Sequence, residues 1–227
     1  GGVTYYSSNS KIRGSIALNI KHEMSSGSNF ALSIGDAPGT EIENSIFWDI
    51  KSGMIIDQGQ LYNNYTVNHS TFGYADENES AWTDHAMLKG SGNYGEVTNS
   101  IFYDIKNSNG GRQYALYNMR LSDYNSFYSN ADGDFYGTAP GPNDIFNVDP
   151  KTSGGLKYLC RIESSGVLHG AASDGGSIGA DVTKRIGVSG TLWGEPGYNS
   201  TTDESLWPWP YEDIIAEAFR TGVANPP

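Results

Sequence analysis

One cysteine, Cys160, is the chain's whole thiol inventory. That excludes an internal disulfide and a zinc site built on cysteines. Charge is also scarce, at 18 % of residues, and basic charge most of all: 14 Lys and Arg stand against 26 Asp and Glu, for a net charge of −12. Nucleic acid is therefore not an expected partner, because phosphate binding needs clustered cations. The same imbalance works against an anionic polysaccharide at long range unless a bound cation bridges the two. No apolar run is long enough to span a bilayer, so no membrane insertion is expected. The four histidines, at 22, 69, 85 and 169, lack zinc spacing. The glycine-rich stretches lack the Lys-Ser/Thr ending of a phosphate loop, and the many serines are read as containing no Gly-x-Ser-x-Gly elbow. The chain opens Gly1-Gly2 without Met, which is expected if a signal peptide was cleaved or the chain was trimmed.

What is abundant is Gly (29) and Tyr (15), with 37 % apolar residues. This composition suits an all-β chain with many turns. The segment Val97-Thr98-Asn99-Ser100-Ile101-Phe102-Tyr103-Asp104-Ile105-Lys106 repeats Ile42-Glu43-Asn44-Ser45-Ile46-Phe47-Trp48-Asp49-Ile50-Lys51. Weaker copies are Val67–Phe72 and Asp123–Phe127. Asn44, His69, Asn99 and Asn125 align at intervals of about 25 to 30 residues, the period of a stacked architecture. A second strand-like segment precedes each copy, at 30–34, 54–57, 86–89 and 114–117. Together with 3–6 and 11–18 this predicts about five rungs over residues 1–130, each of two short strands. Parity places Ile46, Thr71 and Ile101 in one inward column and Ile42, Val67 and Val97 in another. Asn44, His69 and Asn99 share that parity and read as an inward ladder that holds the coil. The Asp49/Lys51 and Asp104/Lys106 pairs read as exposed and of little energetic weight.

Beyond residue 130, Ala131–Pro142 reads as loop and Asp144–Pro150 as a short strand and turn. Leu156–Glu163 reads as one further rung. Pro210, the acidic residues after it and Gly222 frame an amphipathic helix over about 212–221, with Ile214, Ile215, Ala218 and Phe219 on its apolar face. This face and Trp207 and Trp209 are expected to cover the open end or flank of the stack.

The Asn-Ser-Ile-Phe rungs resemble those of secreted right-handed parallel β-helix proteins, the pectate-lyase-like, polysaccharide-active group. The segments Asn147–Pro150, Tyr158–Glu163, Gly175–Asp181 and Leu206–Pro210 are similar to the closing segments of bacterial extracellular β-helix proteins, where Pro is expected in place of Cys160. The resemblance implies a right-handed parallel β-helix, with coils over 1–165 and a loop-rich capping tail over 166–227 that includes one short helix. It also implies an extracellular or cell-surface location and a carbohydrate role, whether polysaccharide binding or kinship to the lyases. The alternatives are a structural, self-associating surface or fibre protein and an active lyase or glycoside hydrolase.

A lyase of this kind needs a base, a cation to neutralise a carboxylate and a proton donor. Lys89 and Arg112, with Asp57 and His85, fall on or beside the second strand column and are the catalytic candidates. Arg120, Trp82 and Tyr94 are the binding candidates; Trp48, Tyr74 and Tyr103 are further aromatic platforms. The acidic loop of Asp76, Glu77 and Glu79 is the candidate calcium site, with Asp132-Gly133-Asp134 as a second. A hydrolase would pair carboxylates on neighbouring rungs, such as Asp57 with Asp84 or Asp76 with Glu79. Against each stands the plainer reading of solvated side chains. Sequons at Asn64, Asn68, Asn78 and Asn199 matter only in a glycosylating secretory pathway.

Overall fold

The computed structural model describes residues 3–5, 8–20, 32–34, 37–50, 55–57, 64–76, 84–90, 94–108 and 111–220. Strands come in triplets. The first is β1 (Val3–Tyr5), β2 (Lys11–Arg13) and β3 (Ile16–Ile20); the second is β4 (Leu32–Ile34), β5 (Thr40–Glu43) and β6 (Ile46–Ile50). There follow β7 (Ile55–Asp57), β8 (Tyr65–Asn68) and β9 (Thr71–Asp76), then β10 (Asp84–Lys89), β11 (Glu96–Thr98) and β12 (Ile101–Lys106). A fifth triplet is β13 (Arg112–Tyr117), β14 (Leu121–Asp123) and β15 (Ser126–Tyr128), and β16 (Phe135–Tyr136) and β17 (Ile145–Phe146) end the series. Every third strand pairs in parallel, giving three sheets: β1-β4-β7-β10-β13-β16, β2-β5-β8-β11-β14 and β3-β6-β9-β12-β15-β17.

Each rung thus has three strands, not two. The cause is a residue in the left-handed region between the second and third sheets: Asn44 (φ 49), His69 (φ 45), Asn99 (φ 53) and Tyr124 (φ 57). Asn and His tolerate this conformation better than most residues. The bend it makes splits the Asn-Ser strand in two. Because Ile101 pairs with Ser126, the residue above Asn99 is Tyr124, and Asn125 falls in the serine column instead.

That column is a hydrogen-bonded ladder. Ser15 N–H donates to Ser45 Oγ at 3.2 Å, Ser45 N–H to Ser70 Oγ at 3.3 Å, and Ser70 N–H to Ser100 Oγ at 3.1 Å. Ser100 N–H donates to Asn125 Oδ1 at 2.9 Å. The hydroxyls of Ser45, Ser70 and Ser100 each donate to the carbonyl two residues back. A small polar side chain at this corner satisfies buried backbone groups at every rung.

The bend also resets which residues face inward. Ile42, Val67 and Val97 line the interior, as expected, but so do Phe47, Phe72, Phe102 and Phe127. The rings of these four stack at centroid distances of 5.2, 5.1 and 5.1 Å. Such contacts contribute about 0.5–1.5 kcal/mol each beyond burial. Ile46 and Ile101 instead point out of the third sheet, contrary to the inward column expected of them. They join a second core with Trp48, Leu156, Leu159, Leu168, Ile178, Val182, Ile215 and Phe219.

The tail supplies that second core. Leu156–Glu163 is no rung: β18 (Leu156–Lys157) and β19 (Arg161–Ile162) form an antiparallel hairpin. The last parallel pairing is that of Ile145 and Phe146 with Ser126 and Phe127, and Phe135–Tyr136 within the expected loop pairs with β13. A second hairpin, β20 (Lys184–Ile186) and β21 (Thr201–Ser205), precedes helix α1 (Glu212–Arg220). In α1, Ile215, Ala218 and Phe219 are buried, while Ile214 is exposed. Trp48 Nε1–H donates to the carbonyl of Ala218 at 3.1 Å, so the helix covers the flank of the stack.

The expected inward Asn ladder faces the tail. The Asn44 amide exchanges two 2.7 Å hydrogen bonds with the backbone of Asp181. Asn99 Oδ1 accepts the N–H of Ser173 at 2.8 Å. His69 sits between the Ser177 carbonyl and the Asp174 carboxylate, 3.0 Å from each. The αL backbone aims these side chains out of the coil and across the tail, which runs back along the stack to Arg13, whose guanidinium donates to the Asn199 carbonyl. Asp49, expected at the surface, is buried. Asp104 pairs with Lys106 at 3.8 Å.

Candidate functional site

The outer face of the first sheet carries a strip of cations and phenols. In register, Lys89 lies opposite Tyr117 and Tyr117 opposite Tyr136. Lys89 Nζ stands 5.3 Å from the Tyr117 ring centroid. The Tyr117 and Tyr136 rings stack at 4.7 Å, and Tyr114 leans on Tyr136 at 5.3 Å. Arg112 Nη1 donates to the Tyr114 hydroxyl at 3.1 Å. Tyr136 is 49 % exposed and Tyr117 is half-buried, whereas Tyr114 is buried. Successive rungs are about 4.8 Å apart. Tyr117 and Tyr136 therefore stack face on face, Lys89 covers the other face of Tyr117, and the rings turn their edges to solvent.

Two of the four catalytic candidates, Lys89 and Arg112, border this strip but stand at opposite ends of adjacent strands, roughly 17 Å apart at strand rise. For the other two only the backbone is described. His85 lies opposite Gln113, next to the Asp84–Arg112 pair. Asp57 follows Ile56, the partner of Lys89, and so lies one step past the lysine. That register undoes the Asp57/Asp84 pair: the two stand at opposite ends of adjacent strands, roughly 20 Å apart at strand rise.

The binding and metal candidates that are described, Arg120, Tyr94 and Asp76, do not join the strip. Arg120 is ion-paired with Glu96 on the second sheet. Tyr94 is half-buried ahead of β11. Trp82, Glu77 and Glu79 lie outside the described residues. Asp76 Oδ1 accepts both the N–H and the hydroxyl of Ser108, at 3.0 and 2.7 Å. Asp132 Oδ2 accepts the N–H groups of Asn107 and Gln113. Among the described residues no three His, Cys, Asp or Glu converge as a metal site would require. Asp76 and Asp132 thus staple loops.

Two supposed platforms belong to the second core, Trp48 buried and Tyr103 partly so. Trp48 is fully buried and stacks on Tyr103 at 5.5 Å. With Phe219 they enclose Lys151, whose Nζ lies 4.9, 5.1 and 5.0 Å from the three ring centroids and donates to the Phe219 carbonyl at 3.2 Å. Burial pushes the lysine's pKa down to about 8, although Asp104 and Asp149 pull the other way. Burial pushes the Tyr103 phenol up to about 12 and the Cys160 thiol up to about 12. Cys160 is thus a packed, weakly acidic thiol.

Two further features lie in the tail. Gly175-Gly176-Ser177-Ile178-Gly179 spells Gly-x-Ser-x-Gly, which the sequence reading passed over. Ser177 Oγ lies 3.2 Å from His169 Nδ1, but the segment is a run of bends with no strand-to-helix elbow, the context that motif requires. Between the β18–β19 hairpin and α1 lies a cleft of about 440 Å³, lined by Tyr158, Cys160, Trp207, Ile215 and Ala216, with Lys157 and Arg161 on one rim and Glu212 and Asp213 on the other.

The tyrosines of the strip were missed as site residues. Tyr114 and Tyr117 were visible as a strand, but only the pairing of β13 with β16, across a loop of unrelated sequence, brings Tyr136 onto them. Comparison of the chain with protein-family models, with curated proteins and with solved structures gives no match in any of the three.

Proposed function

We propose that the chain is a right-handed parallel β-helix of the extracellular, pectate-lyase-like kind and that the outer face of its first sheet binds a polysaccharide. The hand follows from the near-universal right-handedness of parallel crossovers. The observation that carries the binding role is the Lys89–Tyr117–Tyr136–Tyr114–Arg112 strip. Phenol hydroxyls and the flanking cations donate to sugar hydroxyls. A polymer laid along the stack meets Lys89, Tyr117 and Tyr136 on successive rungs.

The net charge of −12 favours a neutral polymer, since a polyanion is repelled before it reaches two cations. A glycan array tests this reading. Retention of neutral polysaccharides, reduced at least tenfold in affinity by Tyr117→Ala, is the expected result. Equal retention by Tyr117→Ala, or none by the wild type, rejects it. Release of unsaturated uronides from any polymer would favour the lyase alternative.

A further inference from the structure

The most exposed large apolar side chains of the described chain sit together on one loop. Trp193 is 91 % exposed and Leu192 70 %. Their loop joins β20 to β21 and is ordered from within. Val188 N–H donates to the Gly197 carbonyl at 3.0 Å, Glu195 N–H to the Leu192 carbonyl at 3.0 Å, and Tyr198 N–H to the Glu195 carbonyl at 3.2 Å. The Glu195 carboxylate accepts the Leu192 N–H at 2.8 Å. A chain gains nothing by holding an indole in water, and contiguous exposed apolar surface on an ordered element marks an interaction site.

The same chain carries a cavity of matching character. The cleft beside α1 is mostly apolar, about 440 Å³ and half open. That lies within the range of pockets that take an organic group. Its wall is the base of the very hairpin whose tip bears Trp193: Leu206 N–H donates to the Thr183 carbonyl, and Thr183 and Trp207 line the cleft. The tip lies at the far end of that hairpin, so it cannot enter its own cleft.

We infer that the Leu192–Trp193 tip of one copy docks in the α1 cleft of a second copy. Charge sets the direction of entry: the hairpin side of the cleft keeps a net positive charge, since Lys157 and Arg161 share one partner, Glu163, and it faces Glu195 beside the tip, while Glu212 and Asp213 on the helix side repel it. Knob and hole lie on different surfaces of one chain, so the contact is heterologous. It generates rings if the rotation closes and open filaments otherwise. A lipid surface is the less favoured occupant, because anionic leaflets repel a chain of net charge −12.

Sedimentation velocity across micromolar to millimolar concentrations tests the proposal. Average mass rises with concentration for the wild type. Trp193→Ser, which changes an exposed side chain, and Ala216→Trp, which fills the cleft, each leave a folded monomer by circular dichroism. Mixing the two restores association, and it stops at a dimer, because one chain retains only the hole and the other only the knob. A wild type that stays monomeric throughout overturns the proposal. So does a Trp193→Ser variant that associates like the wild type, or a mixture that does not associate. Trp193-dependent binding of the monomer to phosphatidylcholine vesicles, without self-association, assigns the tip to a membrane instead.

Discussion

The ring of Trp48 stacks on Tyr103 across an intervening rung, and what permits it is that the residue between them is Gly73. A Cβ at position 73 would lie 2.3 Å from the Trp48 ring. The second core is closed by this contact and by Lys151 above it. Gly73→Ala forces the buried indole to move and is expected to cost about 1–3 kcal/mol, the range for overpacking a rigid site. Urea denaturation reads this directly.

The serine ladder makes a second prediction. Ser100→Ala removes the acceptor of the Ser70 N–H and leaves that group buried and unpaired. The expected loss is about 1–3 kcal/mol. Asn125→Ser, which restores the residue type used at the other rungs, should cost less. An Ala variant as stable as the wild type would mean that water reaches the corner.

Lys151 gives the stability a particular pH profile. Its folded pKa of about 8 lies below its ordinary 10.5, so between those values the unfolded chain binds the extra proton and stability rises with pH. Tyr103, raised from 10.0 to about 12, acts in the opposite sense: above pH 10 the folded chain keeps a proton that the unfolded chain has lost, and stability falls. The difference in stability between wild type and Lys151→Met, followed from pH 7 to 10.5, should therefore change with pH in favour of the wild type. A difference that does not vary with pH contradicts the buried, caged ammonium.

His69 faces two acceptors, the Asp174 carboxylate and the Ser177 carbonyl, and only a ring carrying both protons donates to both. The Gly176 N–H and the neighbouring imidazole hold Asp174 below the usual carboxylate range. The clasp therefore weakens as pH falls through the Asp174 titration. Hydrogen exchange at Gly179 and Ala180, whose N–H groups bond to Asn99 O and Thr71 Oγ1, should quicken, relative to the intrinsic rate, as pH falls through that titration. His69→Asn, which copies Asn44 and Asn99, should remove that excess.

The repeat was legible because stacking demands like residues at like positions: Asn44 and Asn99, Phe47 and Phe102 occupy shared columns, as their sequences announce. Facing was less legible. Strand alternation assumes an unbroken strand, and one αL residue at Asn44 or Asn99 inverts the parity of all that follows, which is why Ile46 and Ile101 were assigned to the wrong core. The tail's course was hidden for another reason. Its grip on Asn44, His69 and Asn99 joins residues far apart in a chain with no repeat to align them. Half of the site suffered likewise: Lys89 and Arg112 stood out as isolated cations, whereas the phenols between them became a surface only once β10, β13 and β16 were in register.

The measurement closest to the central claim is calorimetric titration with neutral oligosaccharides of increasing length, drawn from whichever polymer the array retains. A ladder with one polar side chain per rung, at Lys89, Tyr117 and Tyr136, predicts affinity that climbs with each added residue up to about three and then levels. The Tyr117→Ala and Tyr136→Ala double variant should show no such climb. Affinity that is independent of length, or unchanged in the double variant, contradicts the account.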